Sequence, residues 1–534
     1  MTNSFKLIEE GRKDELWNKH CGYVNLSMKE FMDIQNRLML EQINLLGSSN
    51  LGKHFFGSNP PSSVDEFRRI TPLTRISDYD NLLSDQNDEN LPVKPFVWAR
   101  TSGRTSDVKN YWLPYSRAFY DHLSDSIIAA MLMCSCSQPG DVKLDRNDKF
   151  LMATAPRPYV SGYLAYSVLE NLHARFLPSL DEGEKMEYGE RITAGFKLAM
   201  EQGLDYFGGL AIVLAKMGEQ FESQSSNTSP SKDLLNLPTL FRLLKAVMKA
   251  KINKRRILPK DIWKLKGIMT GGTDTDIYKE KIEYYWGKKP LEGFSCTEGG
   301  NLCFQSWNFK GMTFFPDGNF LEFIPLDEVD KSKANPSYQP KTVLMDELKE
   351  GIYELVITNF MGGALIRYRL FDMFKVISIG DKEIGSVLPQ VQFYSRTDDI
   401  INIGSYLILS EREIWRGIEA TGLKYVDWTA NKEIVAGTPV LNIYIELKEP
   451  NDQSDDNVTD ILDKHFSDLY QEYFDLKEDL GIYPLIFTRL HSGTFKAYKK
   501  SMIKAGADIE ETKPPHMRPS PEILEKLLTL PLDL

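Results

Sequence analysis

ITNFMGGALIRYRLFDMFKV, residues 357–376, sets two apolar runs on either side of a Gly-Gly pair and then places a single carboxylate, Asp372, between Phe371 and Met373. β-branched and aromatic residues recur in both runs and the glycines punctuate a turn, so the stretch reads as a strand pair. Working outward, FLEFIPL (320–326), IYELVIT (352–358) and MFKVISI (373–379) repeat the pattern, which predicts antiparallel sheet or a small barrel over 312–379. A buried Asp372 needs partners. Ribose hydroxyls would satisfy both its oxygens, and so would an ion pair with Arg367 or Arg369.

Upstream, short apolar strands such as FLMATAP (150–156) alternate with helical stretches such as GLAIVLAKMGEQF (209–221), which predicts an α/β architecture. Residues 27–46 carry apolar side chains at three- and four-residue spacing behind a capping box of Ser27 and Glu30, the pattern of a packed amphipathic helix. Residues 223–232 read as a polar surface loop. After about residue 400 the order changes to helix (409–421), strands (433–447), helix (457–475), strand (484–490) and helix (494–505). That is a compact α+β unit, so the expected domains are 1–397 and 398–534.

A chain of 534 residues with a net charge of -11 has the composition of a soluble acidic protein and no basic face for a nucleic-acid backbone. The five scattered cysteines fit a reducing compartment, and Cys134 and Cys136 lack a second pair at zinc spacing. The most apolar stretch, 127–136, is far shorter than the roughly 20 residues that cross a bilayer. The charged start of the chain offers no apolar core for a secretory signal. The expected location is cytoplasmic, without a membrane span.

Five segments carry groups suited to a nucleotide. TSGRTSDVK (101–109) combines hydroxyls, a glycine and a lysine after an apolar strand, as a phosphate loop or an ordinary loop would. MTGGTDTD (269–276) follows a strand with Gly271 and Gly272, which allow close approach of a flat ring or a simple tight turn. GFSCTEGG (293–300) ends a short strand with Thr297 and Glu298; the carboxylate suits magnesium, a hard ion that prefers oxygen. RYRLFD (367–372) presents Asp372. SRTDDIINIGS (395–405) places charged residues where the pattern changes, which suits either a hinge or a solvated turn.

Taken together and in order, these segments resemble the adenylate-forming superfamily, and within it the auxin-responsive acyl acid-amido synthetase family. The likeness also runs through EFRRITPLTRISDYDNLL (66–83), DYFGGLAIVLAKM (205–217), GNFLEFIPLDE (318–328) and SGTFKAYKKSMIKAGADIEETKPP (492–515). It implies a large N-terminal domain of two α/β subdomains plus a β-barrel, and a small mobile C-terminal domain. It implies a phosphate loop at Thr101, Ser102, Gly103, Thr105 and Lys109, from which Arg104, Ser106 and Asp107 depart. It further implies nucleotide contacts at Gly271, Gly272, Thr273 and Thr297, magnesium at Glu298, nucleotide at Tyr368 and ribose at Asp372, with Phe371 in place of a usual glycine. Arg396 would lie near the ribose, Asp398 at the hinge, and Lys513 in TKPPH would be the catalytic lysine, with His516 in place of a usual arginine. The implied cofactors are ATP and Mg2+, and the implied activity is acyl-adenylate formation followed by transfer to an amine, an amino acid by analogy. Two alternatives stay open: an aryl- or acyl-CoA ligase that transfers to coenzyme A, and a catalytically degenerate nucleotide-binding protein.

Overall fold

The computed structural model describes residues 4–57, 59–101, 111–224, 237–271, 275–335, 337–396, 400–403, 407–448, 453–504 and 514–529. Met1–Ser102 with Asn110–Thr397 form one compact unit, and Asp398–Leu534 form the body of a second.

In the large unit β1 (Val97–Arg100) and β2 (Trp112–Tyr115) pair antiparallel as a ribbon of their own. β3 (Lys149–Ala153), β4 (Arg175–Phe176), β5 (Tyr206–Leu210), β6 (Gly267–Gly271) and the start of β7 (Pro290–Cys296) form a parallel ladder. Helices connect these strands, as parallel neighbours require. β8 (Gly300–Gln305), β9 (Met312–Phe314), β10 (Asn319–Pro325), β11 (Gly351–Asn359), β12 (Tyr368–Asp381) and β13 (Ser386–Arg396) continue antiparallel, giving one eleven-stranded sheet. The strand runs expected over 312–379 are β9 to β12. Among the described strands they are hydrogen-bonded into the same sheet as the α/β half rather than set apart from it.

β7 joins the halves by changing partners along its length. Pro290 to Glu292 pair with β6 in parallel, and Gly293 to Cys296 pair with β8 antiparallel. The large apolar core is built on the antiparallel side, where the Met28–Gly47 helix packs Phe31, Met39 and Ile43 with Phe314, Phe320 and Phe374. That helix begins with the expected capping box: Glu30 N–H donates to the Ser27 hydroxyl, and Ser27 N–H donates to the Glu30 carboxylate. The apolar stretch around 127–136 lies in the buried helix Arg117–Ser135, and Cys134 and Cys136 are free thiols packed in its core.

The small unit contains the hairpin β14 (Ile400–Ile403) and β15 (Leu407–Ser410), then β16 (Tyr425–Val435), β17 (Thr438–Leu447) and β18 (Leu485–Leu490) in one sheet. Most of β16 lies outside the strands read at 433–447, because its sequence YVDWTANKEIV mixes polar residues into a half-exposed edge strand. The helix expected over 457–475 is two helices, Asp455–Leu469 and Gln471–Leu480, broken at Tyr470. Tyr470 leaves the helical conformation and its hydroxyl donates to Glu413. Pro515 to Arg518 add to the edge of β16: Ala430 N–H donates to the His516 carbonyl at 2.7 Å, and Arg518 N–H donates to that of Ala430 at 2.9 Å.

Candidate active site

Thr297 and Glu298 occupy the turn at the carboxyl end of β7, the strand that changes partners. Open α/β sheets bind ligands beyond the carboxyl ends of their strands, which is where this turn lies. The turn is held through three successive carbonyls. Tyr115 Oη donates to Thr297 O at 2.6 Å, Asn359 Nδ2 to Glu298 O at 2.8 Å, and Asn319 Nδ2 to Gly299 O at 2.8 Å. Asn319 and Asn359 are directly opposite one another on β10 and β11 and are joined side chain to side chain at 2.8 Å. Buried polar groups fully paired in this way fix a backbone more firmly than apolar packing does.

Sequence reasoning missed Tyr115, Asn319 and Asn359. Asn319 opens β10 and Asn359 closes β11, so each read as ordinary strand-end punctuation. Only the strand register shows that they meet. A small cavity beside Glu298 is lined by Leu113, Tyr115, Phe119, Asn359 and Leu365.

Asp372 is buried on β12 and lies opposite Arg396 on β13. Arg396 Nη1 donates to Asp372 Oδ1 at 3.1 Å and to Oδ2 at 3.4 Å, and Nη2 donates to Leu370 O at 3.3 Å. The alternative partners are engaged elsewhere. Arg367 grips Glu322 through Nε and Nη2 at 2.9 and 2.8 Å, and Arg369 grips Glu354 at 2.7 Å through both Nε and Nη2. The two residues assigned to the ribose are therefore paired with each other, with Arg396 partly open to solvent.

Phe371 explains how a non-glycine fits where the resemblance expects glycine. Its φ is +61°, in the left-handed region that glycine enters without penalty. The register between β11 and β12 slips here, with Val356 opposite Arg369 but Glu354 opposite Met373. This bulge carries Leu370 to Asp372 off the β11 ladder. Arg369 and Arg75 lie over the Phe371 ring at 4.9 and 5.4 Å, a cation–π arrangement that offsets part of the strain.

Glu298, Asp372, Arg396, Tyr368 and Cys296 form one electrostatic neighbourhood. Burial pushes the Glu298 carboxyl above the usual carboxylate range, while the Arg396 charge pulls it back. The Cys296 thiol is pushed well up, by burial first and then by the charges of Glu298 and Asp372. Burial likewise raises the Tyr368 hydroxyl, with Glu298 adding to the effect. The Tyr368 ring is buried against Tyr79, with centroids 6.2 Å apart. Among the described residues no group of three His, Cys, Asp or Glu is placed to hold a metal ion. A divalent ion at Glu298 would need oxygens from a bound phosphate, a donor set that fits magnesium.

Gly271 ends β6, beside β7 and exposed, and Thr101 follows β1 with its N–H donating to Tyr111 O at 3.0 Å. Ser102, Gly103, Thr105, Lys109, Gly272, Thr273, Asp398 and Lys513 lie outside the described residues. In the small unit, His516 holds the segment after Lys513. Its Nδ1 lies 2.5 Å from Glu411 Oε1, its Nε2 lies 2.7 Å from Asp427 Oδ1, and its ring stacks on Trp428 at 4.3 Å. Both ring nitrogens thus face a carboxylate while the ring face packs on Trp428.

Residues 312–396 match the GH3 family central domain, and residues 413–522 match the GH3 family C-terminal domain. A curated relative, the 4-substituted benzoates-glutamate ligase GH3.12 of Arabidopsis thaliana, is 25% identical over 280 residues. That match spans 47% of this chain and 45% of the relative, so the chain aligns with about half the length of that protein. A solved 2-hydroxyisobutyryl-CoA ligase superposes with a TM-score of 0.52 at 14% identity, over 90% of this chain and 94% of that one, which shows the adenylate-forming fold. A GH3.15 acyl acid amido synthetase aligns over 93% of both chains at 16% identity, with a TM-score of 0.47. The two GH3 domain models thus match this chain in order, the first of them spanning Asp372 and Arg396.

Proposed function

We propose that this protein is an ATP-dependent ligase that converts a carboxylic acid to an acyl-adenylate and passes the acyl group to an amine, an amino acid by analogy with the benzoates-glutamate ligase. The observation that carries this reading is the meeting of Glu298, Asp372 and Arg396 at the end of the partner-changing strand. In the first step a carboxylate oxygen of the acid attacks the α-phosphorus of ATP. The bond to the bridging oxygen of the β-phosphate breaks, and pyrophosphate leaves. In the second the amine nitrogen attacks the acyl carbon, AMP departs with the electron pair of the acyl–oxygen bond, and the amine proton passes to solvent or base.

Each residue then has a defined task. Asp372 accepts the ribose hydroxyls, which fixes the sugar and hence the α-phosphate. Arg396, released in part from Asp372 by the ribose, stays close enough to neutralise phosphate charge. Glu298 would hold magnesium, which supplies charge neutralisation on the phosphate oxygens. Thr297, Gly271, Gly272 and Thr273 would border the nucleotide, with Thr101, Ser102, Gly103, Thr105 and Lys109 about the departing pyrophosphate. Lys513 would act in the first step alone, carried by rotation of the small unit about Asp398. The cysteine usage supports a reducing, cytoplasmic setting.

The test is a screen of carboxylic acids for ATP-dependent pyrophosphate release, followed by product mass in the presence of amino acids or coenzyme A. An amide product supports the reading, and a thioester moves the chain to the CoA-ligase alternative. Nucleotide binding with no acid-dependent pyrophosphate release across the screen would leave a degenerate binding protein.

A further inference from the structure

The helix Leu237–Ile252 is turned inside out relative to an ordinary surface helix. At about 100° per residue, Thr239, Ala246 and Ala250 share one face, and they are the side chains it buries against the large unit. The Thr239 hydroxyl donates to Met200 O, as does the Arg242 guanidinium, which fixes that small-residue face to the end of the Tyr188–Gln202 helix. Phe241, Leu244, Met248 and Ile252 fall together on the opposite face. Phe241 is 71% exposed, Met248 64% and Ile252 76%. A helix that only covered a core would show the reverse arrangement.

The charges are as one-sided as the apolar residues. Residues 237–256 contain seven Lys and Arg and no Asp or Glu, in a chain whose net charge is -11. Lys245 and Lys251 flank the apolar arc on either side and are exposed. Just beyond the helix, Lys251, Lys254, Arg255 and Arg256 line an open hollow with Val247 and Ile257. Arg255 is paired with Asp261, which fixes one rim of that hollow.

We infer that this helix is a peripheral membrane-binding element, which lies in the plane of an anionic lipid surface with Phe241, Leu244, Met248 and Ile252 among the acyl chains. Its composition is that of interfacial helices: aromatic and aliphatic residues on one arc and lysines beside it. The lysine stems can follow the apolar surface inward while their ammonium groups stay with the phosphates. The basic hollow would take a lipid headgroup at the helix end. A second copy of the chain is the poorer occupant, since pairing this face with itself would oppose two strongly cationic segments. The apolar arc is convex rather than a groove, which suits a deformable surface over a folded partner. Because the rest of the chain is net acidic, an anionic surface favours this basic segment over the remainder. No helix among the described residues is long and apolar enough to span a membrane, so attachment would be to one leaflet.

The test uses the full chain, sedimented with vesicles of phosphatidylcholine alone or with about 30% phosphatidylserine, in roughly 0.1 M and 0.5 M salt. Partitioning at least about tenfold stronger onto the anionic vesicles, weakened by salt, is the expected result. The triple substitution Phe241→Ser, Met248→Ser, Ile252→Ser and the charge reversal Lys245→Glu, Lys251→Glu, Lys254→Glu should each lower that partitioning about tenfold. Both act on exposed side chains, so unchanged circular dichroism and ATP binding confirm intact variants. Equal partitioning onto both vesicle types, or no loss in either variant, overturns the inference. So does a concentration-dependent dimer abolished by the serine variant, or stoichiometric binding to an acidic helix-binding protein without vesicle binding.

Discussion

Within six residues, Arg367 just before β12 and Arg369 and Asp372 on it carry charges that read alike in the sequence and sit differently in the fold. Arg367 and Arg369 are buried, and each makes a two-pronged bond to a buried glutamate, with further bonds to Arg68 O and Thr71 O for Arg367 and to the Ser332 hydroxyl for Arg369. Asp372 faces an arginine that is partly in water, over longer and unequal distances. The first two pairs are complete as they stand and can only be broken. The third is a looser pair, with longer bonds and an arginine that water can reach. Bond length and access of water, rather than charge, set the proposed ligand-binding pair apart from the two structural ones.

The sharpest way to break that comparison is Arg369→Met. It leaves Glu354 buried without its counter-charge, and the expected loss of stability is about 3 to 5 kcal/mol, read from urea or thermal unfolding. Replacing both partners by apolar residues should recover most of it, since the cost lies in the uncompensated charge. A single-variant loss below about 1 kcal/mol would show that the pair holds nothing together. Asp372→Ala should do the opposite: about 1 kcal/mol or less in stability, because Arg396 can be solvated, but about 1.5 to 3 kcal/mol in ATP binding for each charge-assisted bond lost. Calorimetric titration with ATP gives that number, and unfolding of the variant would put Asp372 with the structural pairs.

Glu298 sharpens the comparison through pH. Its carboxyl is held above the ordinary value of 4.5 by burial, against the pull of Arg396. A raised carboxyl favours the protonated folded form, so its contribution to stability is complete below about 4.5 and is lost as pH rises through the folded value. Glu298→Gln should lack that decline over the same window. Binding of magnesium and ATP favours the ionised form, so the wild type should release up to about one proton on binding within this window and the Gln variant none. Titration in buffers of different ionisation enthalpy measures it, and equal proton release by both proteins would take the magnesium assignment away from Glu298. The smallest effect is expected at Phe371→Gly. Relief of left-handed backbone strain, about 1 to 2 kcal/mol, works against loss of the ring's contacts with Arg75 and Arg369, about 0.5 to 1 kcal/mol or more. The net change in unfolding free energy should stay within about 1 kcal/mol, and a loss of several would mean the ring, not the backbone, holds the bulge.

The segments proposed to bear the chemistry are legible because they are local: CTEGG where one strand ends, RYRLFD at the start of another, Ser395 and Arg396 at the end of a third. What stayed hidden depends on register. The partners of Arg367 and Arg369 sit on β10 and β11, and no spacing rule tells which arginine Glu322 or Glu354 takes. The carbonyl clamp by Tyr115, Asn319 and Asn359 joins residues from three strands. β16 was read short because an edge strand that exposes one face does not show an apolar run. The exposed face of the helix 237–252, taken as a pattern, looks like a core-facing stripe; only burial reveals which way it points.

One strand serving two ladders has a consequence for how firmly the site is built. To free β7 as a whole the pairs with β6 and with β8 must both be lost, and the turn after its β8-paired end is held besides by the bonds from Tyr115, Asn319 and Asn359, so Thr297 and Glu298 hang from a place that local unfolding reaches late. Arg396 is the last residue of its strand, and β13 touches β9 through the single pair Val391 and Met312. Amide exchange should therefore run slow along β7 and fast toward the end of β13. In the proposed reaction the carboxylate of the site would be a fixed post and the guanidinium an adjustable arm, so that one group holds its aim while the other follows a phosphate whose charge and position change.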